Sequence, residues 1–294
     1  METMARDALQ ALPGIEAVEI NMTARVQRTA PSGPLLPSVS NVIAIASGKG
    51  GVGKSTVAAN LQIALAQSGA QVGLLDADIY GPNIPMMFGV EGRPEVSGEK
   101  GQEMIQPMEA HGVRLMSLGF LLEKEQPAIM RGPLISGILK QFLEQVSWGD
   151  LDVMVVDMPP GTGDAQLSLV QTIDLDGVLM VSTPQEVSTG DVRRGIKMFE
   201  RVNTRVLGLV ENMSGLVCPH CDEVIDVFGS GGTDRLADEM DLPLLGRVPL
   251  DPAVRTAGDE GMPTVLSAPD SGAGQALRQL AEVVAEMLVP AGKT

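Results

Sequence analysis

Aromatic residues are nearly absent: one Trp, one Tyr and five Phe in 294 residues, or 2%. Proteins that stack nucleic-acid bases on aromatic side chains need more than that. The core must instead be built from Val, Leu, Ile, Ala and some of the 17 Met. Positive charge is also short. Lys and Arg number 21 against 37 Asp and Glu, a formal net charge of −16 with a pI near 4.5. Such a surface repels phosphate backbones and anionic headgroups, so neither nucleic acid nor membrane is an expected partner. Long apolar runs are missing as well: Val42–Ala46 and Val153–Val156 have the length of strands, far below a bilayer span. The first residues, Met1-Glu2-Thr3-Met4-Ala5-Arg6-Asp7, carry neither the basic nor the apolar region of a secretion signal. Two cysteines cannot found a disulfide framework, and a reducing, cytoplasmic setting is expected.

What the chain does have is aliphatic residues in a regular rhythm. Hydrophobic residues make up 44%, enough for a sizeable core. Residues 1–30 read as an appendage, with one helix over Arg6–Leu12 and one strand over Val18–Val26, too little to fold alone. Residues 31–40 have the Pro- and Ser-rich chemistry of a linker. From 41 to 294, short apolar runs alternate with helical patterns. Strands are expected at Val42–Ala46, Gln71–Asp76, Val113–Leu118, Val153–Asp157, Val178–Ser182, Val206–Glu211 and Leu244–Pro249. Helices are expected at Ser55–Ser68, Ser136–Val146, Thr189–Val202, Asp234–Met240 and Gly274–Leu288. That alternation predicts an α/β fold, a doubly wound and mostly parallel sheet with helices on both faces.

Gly48-Lys49-Gly50-Gly51-Val52-Gly53-Lys54-Ser55 fits the phosphate-loop pattern G-x-x-x-x-G-K-[ST], with an apolar strand before it and a good helix, opening Ser55-Thr56, after it. Glycines let the backbone N–H groups wrap a phosphate, and the helix N-terminus adds a favourable dipole. Lys54 then neutralises β- and γ-phosphate charge, and the Ser55 hydroxyl is a Mg²⁺ ligand. Two acidic stretches close apolar strands at the edge where such sheets bind ligands: Leu74-Leu75-Asp76-Ala77-Asp78 and Val155-Val156-Asp157-Met158-Pro159-Pro160-Gly161. Asp157 has the position of a residue that holds Mg²⁺ through water, and Asp76 that of a neighbour in the metal or water network. Gly161-Thr162-Gly163-Asp164 reads as a switch that senses the γ-phosphate. Any one of these acids alone would be read as a solvated strand end or a helix cap. Their joint placement with the loop favours a nucleoside triphosphate site.

Lys49, directly after the first glycine, gives the spelling K-G-G-V-G-K-[ST], which resembles the deviant Walker A loop of the ATPase class that includes MinD, ParA and the nitrogenase iron protein. The resemblance implies that ATP lies between the subunits of a homodimer. It also implies that Lys49 reaches the partner's nucleotide much as an arginine finger does, that Asp78 polarises the attacking water, and that Asn212, in Glu211-Asn212-Met213-Ser214, contacts adenine. Pro249-Leu250-Asp251-Pro252 would line the same pocket.

Cys218-Pro219-His220-Cys221 supplies two thiolates, half of a four-thiolate site, which a two-fold axis would complete with [4Fe–4S] or zinc. A thioredoxin-type redox pair is the third reading, but such a pair opens a helix, whereas Asp222–Val227 alternates like a strand. His220 reads as a solvated loop residue.

Taken together, Lys49–Thr56, Asp76–Pro85 with its Tyr80-Gly81-Pro82-Asn83-Ile84-Pro85, Asp157–Asp164 with its double proline, and Glu211–Ser214 followed by Cys218 and Cys221 resemble the Mrp/ApbC family of iron–sulfur cluster carriers. The resemblance implies a slow ATPase that binds ATP and Mg²⁺, bridges a [4Fe–4S] cluster across a homodimer through Cys218 and Cys221, receives it from a cluster donor and passes it to apo iron–sulfur proteins. Bacterial members often carry an N-terminal accessory domain of about a hundred residues, of which Leu9–Ile20 resembles only the last helix and strand. The alternative is a MinD- or ParA-like positioning ATPase with structural zinc at the cysteine pair. Its membrane form needs a basic amphipathic tail, and Ala276–Leu288 holds two Glu and one Arg.

Overall fold

The computed structural model describes residues 35–79, 81–99, 103–121 and 132–288. The expected N-terminal helix and strand, the start of the linker and Tyr80 lie outside the described residues. Strand β1 (Val39–Ser47) is followed by helix α1 (Lys54–Gln67), β2 (Val72–Asp76) and the short α2 (Ile84–Met87). Next come the two-residue strands β3 (Val96–Ser97) and β4 (Met104–Ile105), then β5 (Met108–Ala110) and β6 (Val113–Ser117). The alternation resumes with α3 (Gly132–Gln145), β7 (Leu151–Asp157), α4 (Asp164–Thr172), β8 (Gly177–Ser182), α5 (Glu186–Arg201) and β9 (Val206–Asn212). A hairpin of β10 (Leu216–Val217) and β11 (Val224–Ile225) precedes α6 (Gly232–Met240), β12 (Leu244–Val248), α7 (Pro252–Asp259), α8 (Thr264–Ser267) and α9 (Gly272–Leu288).

Eight strands form one sheet in the order β12-β9-β8-β1-β7-β2-β6-β5, parallel except for the edge pair β5–β6. The central strands are apolar runs because both of their faces are covered. Val42, Ala44 and Ala46 of β1 face a layer containing Leu139, Phe142, Ile196 and Leu236 of α3, α5 and α6, while Ile43 and Ile45 face α1 and α9. Each fully buried aliphatic side chain contributes about 1.5–3 kcal/mol, and this sandwich makes the sheet a rigid support for its C-terminal edge. Helix α1 is buried almost all round because α9 packs over its outer side. Its Ala- and Leu-rich sequence accordingly shows no polar stripe.

The expected doubly wound α/β architecture is the one observed. Val39 and Ser40, placed in the linker from sequence, are already strand, Val39 being in register with Leu151. Of the alternating stretch Asp222–Val227 only Val224 and Ile225 are strand. Helices α2, α4, α7 and α8 and the short strands β3, β4, β5 and β10 were not foreseen. No described helix is long and apolar enough to cross a membrane.

Candidate functional site: a phosphate loop beside a thiol hairpin

The loop between β1 and α1 is glycine-rich for two separate reasons. Gly51 and Gly53 have φ of +80° and +82°, the left-handed region that a Cβ disfavours. Gly48 and Gly53 are also crowded: a Cβ on Gly48 would lie 2.4 Å from the backbone of Asp191 and Val192 in α5, and one on Gly53 would lie 2.1 Å from Asn212 Nδ2. The first turn of α1 holds no acidic residue, and Gly53 offers no side-chain cap. Its N–H groups are left for an anion. Lys49 is half-buried in this loop, and its carbonyl accepts a bond from Ser47 Oγ at 2.9 Å. Gly50 and Gly51 are exposed, Val52 is buried, and Ser55 and Thr56 are half-buried at the start of α1.

Lys54 is buried, and its Nζ lies 2.7 Å from Asp157 Oδ1, 3.3 Å from Asp78 Oδ2 and 3.2 Å from Ser55 Oγ. β2 and β7 pair with Asp76 directly opposite Asp157, which brings the strand-end acids together. Burial works against the Lys54 ammonium, but the charges of Asp157, Asp78 and Asp76 and the bond to Asp157 more than offset it, so its pKa stands above that of an ordinary lysine. Burial likewise pushes the Asp157 carboxyl up against the pull of Lys54. Asp76 is pushed up to about 8, first by burial and then by the Asp157 charge, with the Ser117 hydroxyl pulling the other way. One ammonium facing Asp157 and Asp78, with Asp76 buried behind them, leaves the pocket short of positive charge. Asp157 Oδ2 and Asp78 Oδ1 are buried without a hydrogen-bond partner. Unpaired carboxylate oxygens beside a serine hydroxyl are a donor set that suits a hard divalent cation such as Mg²⁺.

Ser117 was not foreseen from sequence. Its Oγ donates to Asp76 Oδ2 at 2.8 Å, while the Asp78 N–H donates to Asp76 Oδ1 at 3.1 Å. The available signal was a hydroxyl closing the apolar run Val113–Ser117, beside β2. Gly161 has φ of +92° and donates its N–H to Ser47 O at 3.0 Å, and Asp164 opens α4. Asn212 is buried with Nδ2 donating to Val52 O at 2.8 Å, so in this structure its amide engages the phosphate loop itself.

Burial of Asp76 makes the stability of the folded chain depend on pH. An unfolded Asp titrates near pH 3.9, so between about pH 4 and 8 the folded protein holds a proton that the unfolded chain has lost. That contribution to stability is full below about pH 4 and is lost as pH rises towards 8. Asp76→Asn removes the titrating group and is expected to flatten the decline of melting temperature with pH in nucleotide- and metal-free protein. Calorimetry from about pH 5 to 8 checks this; equal slopes in the two proteins would refute it.

Cys218 and Cys221 sit in the turn between β10 and β11, joined by antiparallel pairing of Leu216 with Ile225 and Val217 with Val224. Neither is in a disulfide; Cys218 is half-buried and Cys221 exposed. The Cys218 N–H donates to Glu223 O at 2.9 Å, and the Asp222 N–H returns to Cys218 O at 3.0 Å with Asp222 at φ +60°. The backbone N–H groups of His220 and Cys221, and the Cys221 side chain, bond to the Cys218 sulfur and hold its thiol below the ordinary range. His220 faces solvent. Among the described residues, no group of three or more His, Cys, Asp or Glu is assembled to hold a metal, so one chain offers two thiols and no third ligand there. A cleft of about 600 Å³ bordered by Arg93, Glu109, Arg114 and Ser147 shares no residue with either the loop or the hairpin.

A family model described as ParA, the NUBPL iron-transfer P-loop NTPase, matches residues 38–285. An iron–sulfur cluster carrier protein of Synechocystis sp. is 50% identical over 282 residues, covering 95% of this chain and 80% of its own. A nucleotide-binding protein of Archaeoglobus fulgidus, solved with ADP and with cobalt, superposes with a TM-score of 0.67 at 40% identity, covering 76% of this chain and 87% of that one. The cell-division ATPase MinD of Pyrococcus furiosus gives a TM-score of 0.65 at 25% identity, covering 84% and 99%.

Proposed function

The chain belongs to the iron-transfer P-loop NTPase family, and from that premise we propose that it is an ATP-hydrolysing carrier of iron–sulfur clusters. The observation that carries the reading is the hairpin that sets the free thiols of Cys218 and Cys221 in one turn at the surface, entered directly from the strand whose Asn212 touches the phosphate loop. Two thiols per chain complete a four-thiolate set only when a second copy brings its own pair. Such a set takes zinc or a cluster, and the similarity to iron–sulfur cluster carriers favours a [4Fe–4S] cargo bridged by a homodimer.

At the other site the loop N–H groups and Lys54 bind the phosphates of ATP, and Lys54 moves from its carboxylate partners towards them. Mg²⁺, when bound, neutralises charge between the β- and γ-phosphates. Ser55 and Asp157 are the residues that would hold it. Asp78 orients the attacking water with its unpartnered oxygen, Asp76 is fixed behind it by Ser117, and Asn212 reads the base. Lys49 adds positive charge to the partner's nucleotide in the transition state. Turnover is slow and coupled to loading or release of the cluster, taken from a donor and delivered to apo iron–sulfur proteins in the cytoplasm.

A membrane-switch reading is less well supported. The apolar face of α9, with Leu277, Leu280 and Val284, is buried in the core layer beside α1 and is not free to enter a bilayer. To test the carrier reading, cluster-loaded protein is mixed anaerobically with an apo iron–sulfur enzyme. The acceptor is expected to regain activity as the donor loses its cluster absorption, at a rate that depends on Mg·ATP. An acceptor that recovers no faster than with free iron and sulfide would contradict the reading.

A further inference from the structure

The phosphate loop and the thiol hairpin are joined by a short stretch of chain that is bonded at nearly every step. Asn212 Nδ2 holds Val52 O at 2.8 Å, and Gly53 is packed so closely beneath that amide that the loop cannot move towards β9 without displacing it. The neighbouring Glu211 is also buried; it accepts from Ser214 Oγ at 2.7 Å and faces Arg247 Nε at 3.6 Å. The Ser214 N–H donates to Val248 O at 3.0 Å, and Gly215 O accepts from the Leu250 N–H at 2.7 Å. Between Asn212 and Ser214, Met213 has φ of +57°, a left-handed conformation unfavourable for a residue with a Cβ, and Gly215 has φ of +70°. β10 starts at the next residue, and Cys218 follows it.

We propose that the Glu211–Ser214 bond is a brace that transmits the state of the phosphate loop to the two thiols, with Ser214 as a positioning residue. Wrapping a phosphate requires the loop peptides to turn their N–H groups inward. Any rotation of the Val52 peptide acts on Asn212 through the bond to its carbonyl. The turn after Asn212 is held in its left-handed shape at Met213 by the bonds of Ser214 to Glu211 and Val248 and of Gly215 to Leu250, so the motion passes to the root of the hairpin instead of dissipating in a loose loop. The brace deepens the carrier reading and takes from it the purpose of the thiols, but its test does not need a cluster.

The test is the alkylation rate of Cys218 and Cys221 by iodoacetamide in the full-length, metal-free chain, read by mass spectrometry with and without Mg·ATP. Nucleotide is expected to change the rate by about fivefold or more, the lower end of ordinary coupling between sites. In Ser214→Ala the change is expected to fall below about twofold while ATP affinity stays within about twofold of the parent. Ser214→Thr, which keeps the hydroxyl, restores it. A full nucleotide effect in Ser214→Ala, with or without a lower melting temperature, overturns the brace, as does a parent protein whose thiols ignore nucleotide. Iron retention by the same preparation after reconstitution reports on the carrier reading separately, so failure of one is distinguishable from failure of the other.

Discussion

Cys218→Ala is expected to cut the iron and sulfide retained after anaerobic reconstitution from about four of each per dimer to near zero. Each dimer loses two of its four sulfur ligands, and the one lost on each chain is the thiol whose pKa the His220 and Cys221 N–H groups lower. Cys221→Ala is expected to give the same result. The folded state should hardly notice either change. Val217, Val224, Ile225 and Val227 around the turn are all exposed, so the hairpin contributes little to the core, and a surface substitution of this kind stays within about 0.5 kcal/mol. His220→Ala is the matched control, since that side chain points to solvent and should leave iron content unchanged. Iron and sulfide assays with denaturation curves on the three variants check the set. Stoichiometric iron in Cys218→Ala would remove the thiols from the cargo site.

Lys54→Ala is expected to weaken Mg·ATP binding by about a hundredfold, since a hydrogen bond to a charged group is worth up to about 3 kcal/mol. The nucleotide-free protein should suffer too. Asp157 is fully buried and has Lys54 as its ion-pair partner at 2.7 Å, and stripping one member from a buried pair costs about 3–5 kcal/mol. Part of that loss is recovered by protonating Asp157, whose carboxyl burial already pushes upward. Without Lys54 its folded pKa lies higher still above the unfolded value, so the destabilisation grows as pH rises. Titration calorimetry with a non-hydrolysable ATP analogue and melting curves at acid and alkaline pH measure both effects. Unchanged affinity would sink the phosphate-loop reading, and a deficit independent of pH would contradict the role given to Asp157.

The loop and the central sheet were legible because their physics is local. A strand covered on both faces must be an apolar run, and a loop that needs φ above zero and close backbone approach must spend glycines at Gly48, Gly51 and Gly53. The start of β1 was missed because Val39–Asn41 pair with β7 while not fully buried, so that end of the strand carries no core signal. α4 was missed because its nine residues include Gln166, Ser168 and Gln171 and give no clean periodic face. α7 did carry a signal, since Asp251 caps the helix by accepting from the Ala253 N–H at 2.8 Å and Pro252 opens it. At the site, the acids could be named from strand ends, but Ser117 touches an Asp 41 positions away, a contact that only the order β7-β2-β6 creates. The Glu211–Ser214 brace spans three positions yet depends on the turn at Met213, and nothing in the residue types there announces a left-handed methionine.

Whether two thiols from each of two chains hold one cluster is tested most directly by spectroscopy. The purified protein is reconstituted anaerobically with iron and sulfide, and its ultraviolet–visible spectrum is recorded with metal content and molecular mass. A broad band near about 400 nm with about four irons per dimer, both lost in Cys221→Ala, is the predicted result. Tightly held zinc with no such band, or a full complement of iron on a monomer, would contradict the claim and leave an ATPase with a metal clip in place of a carrier.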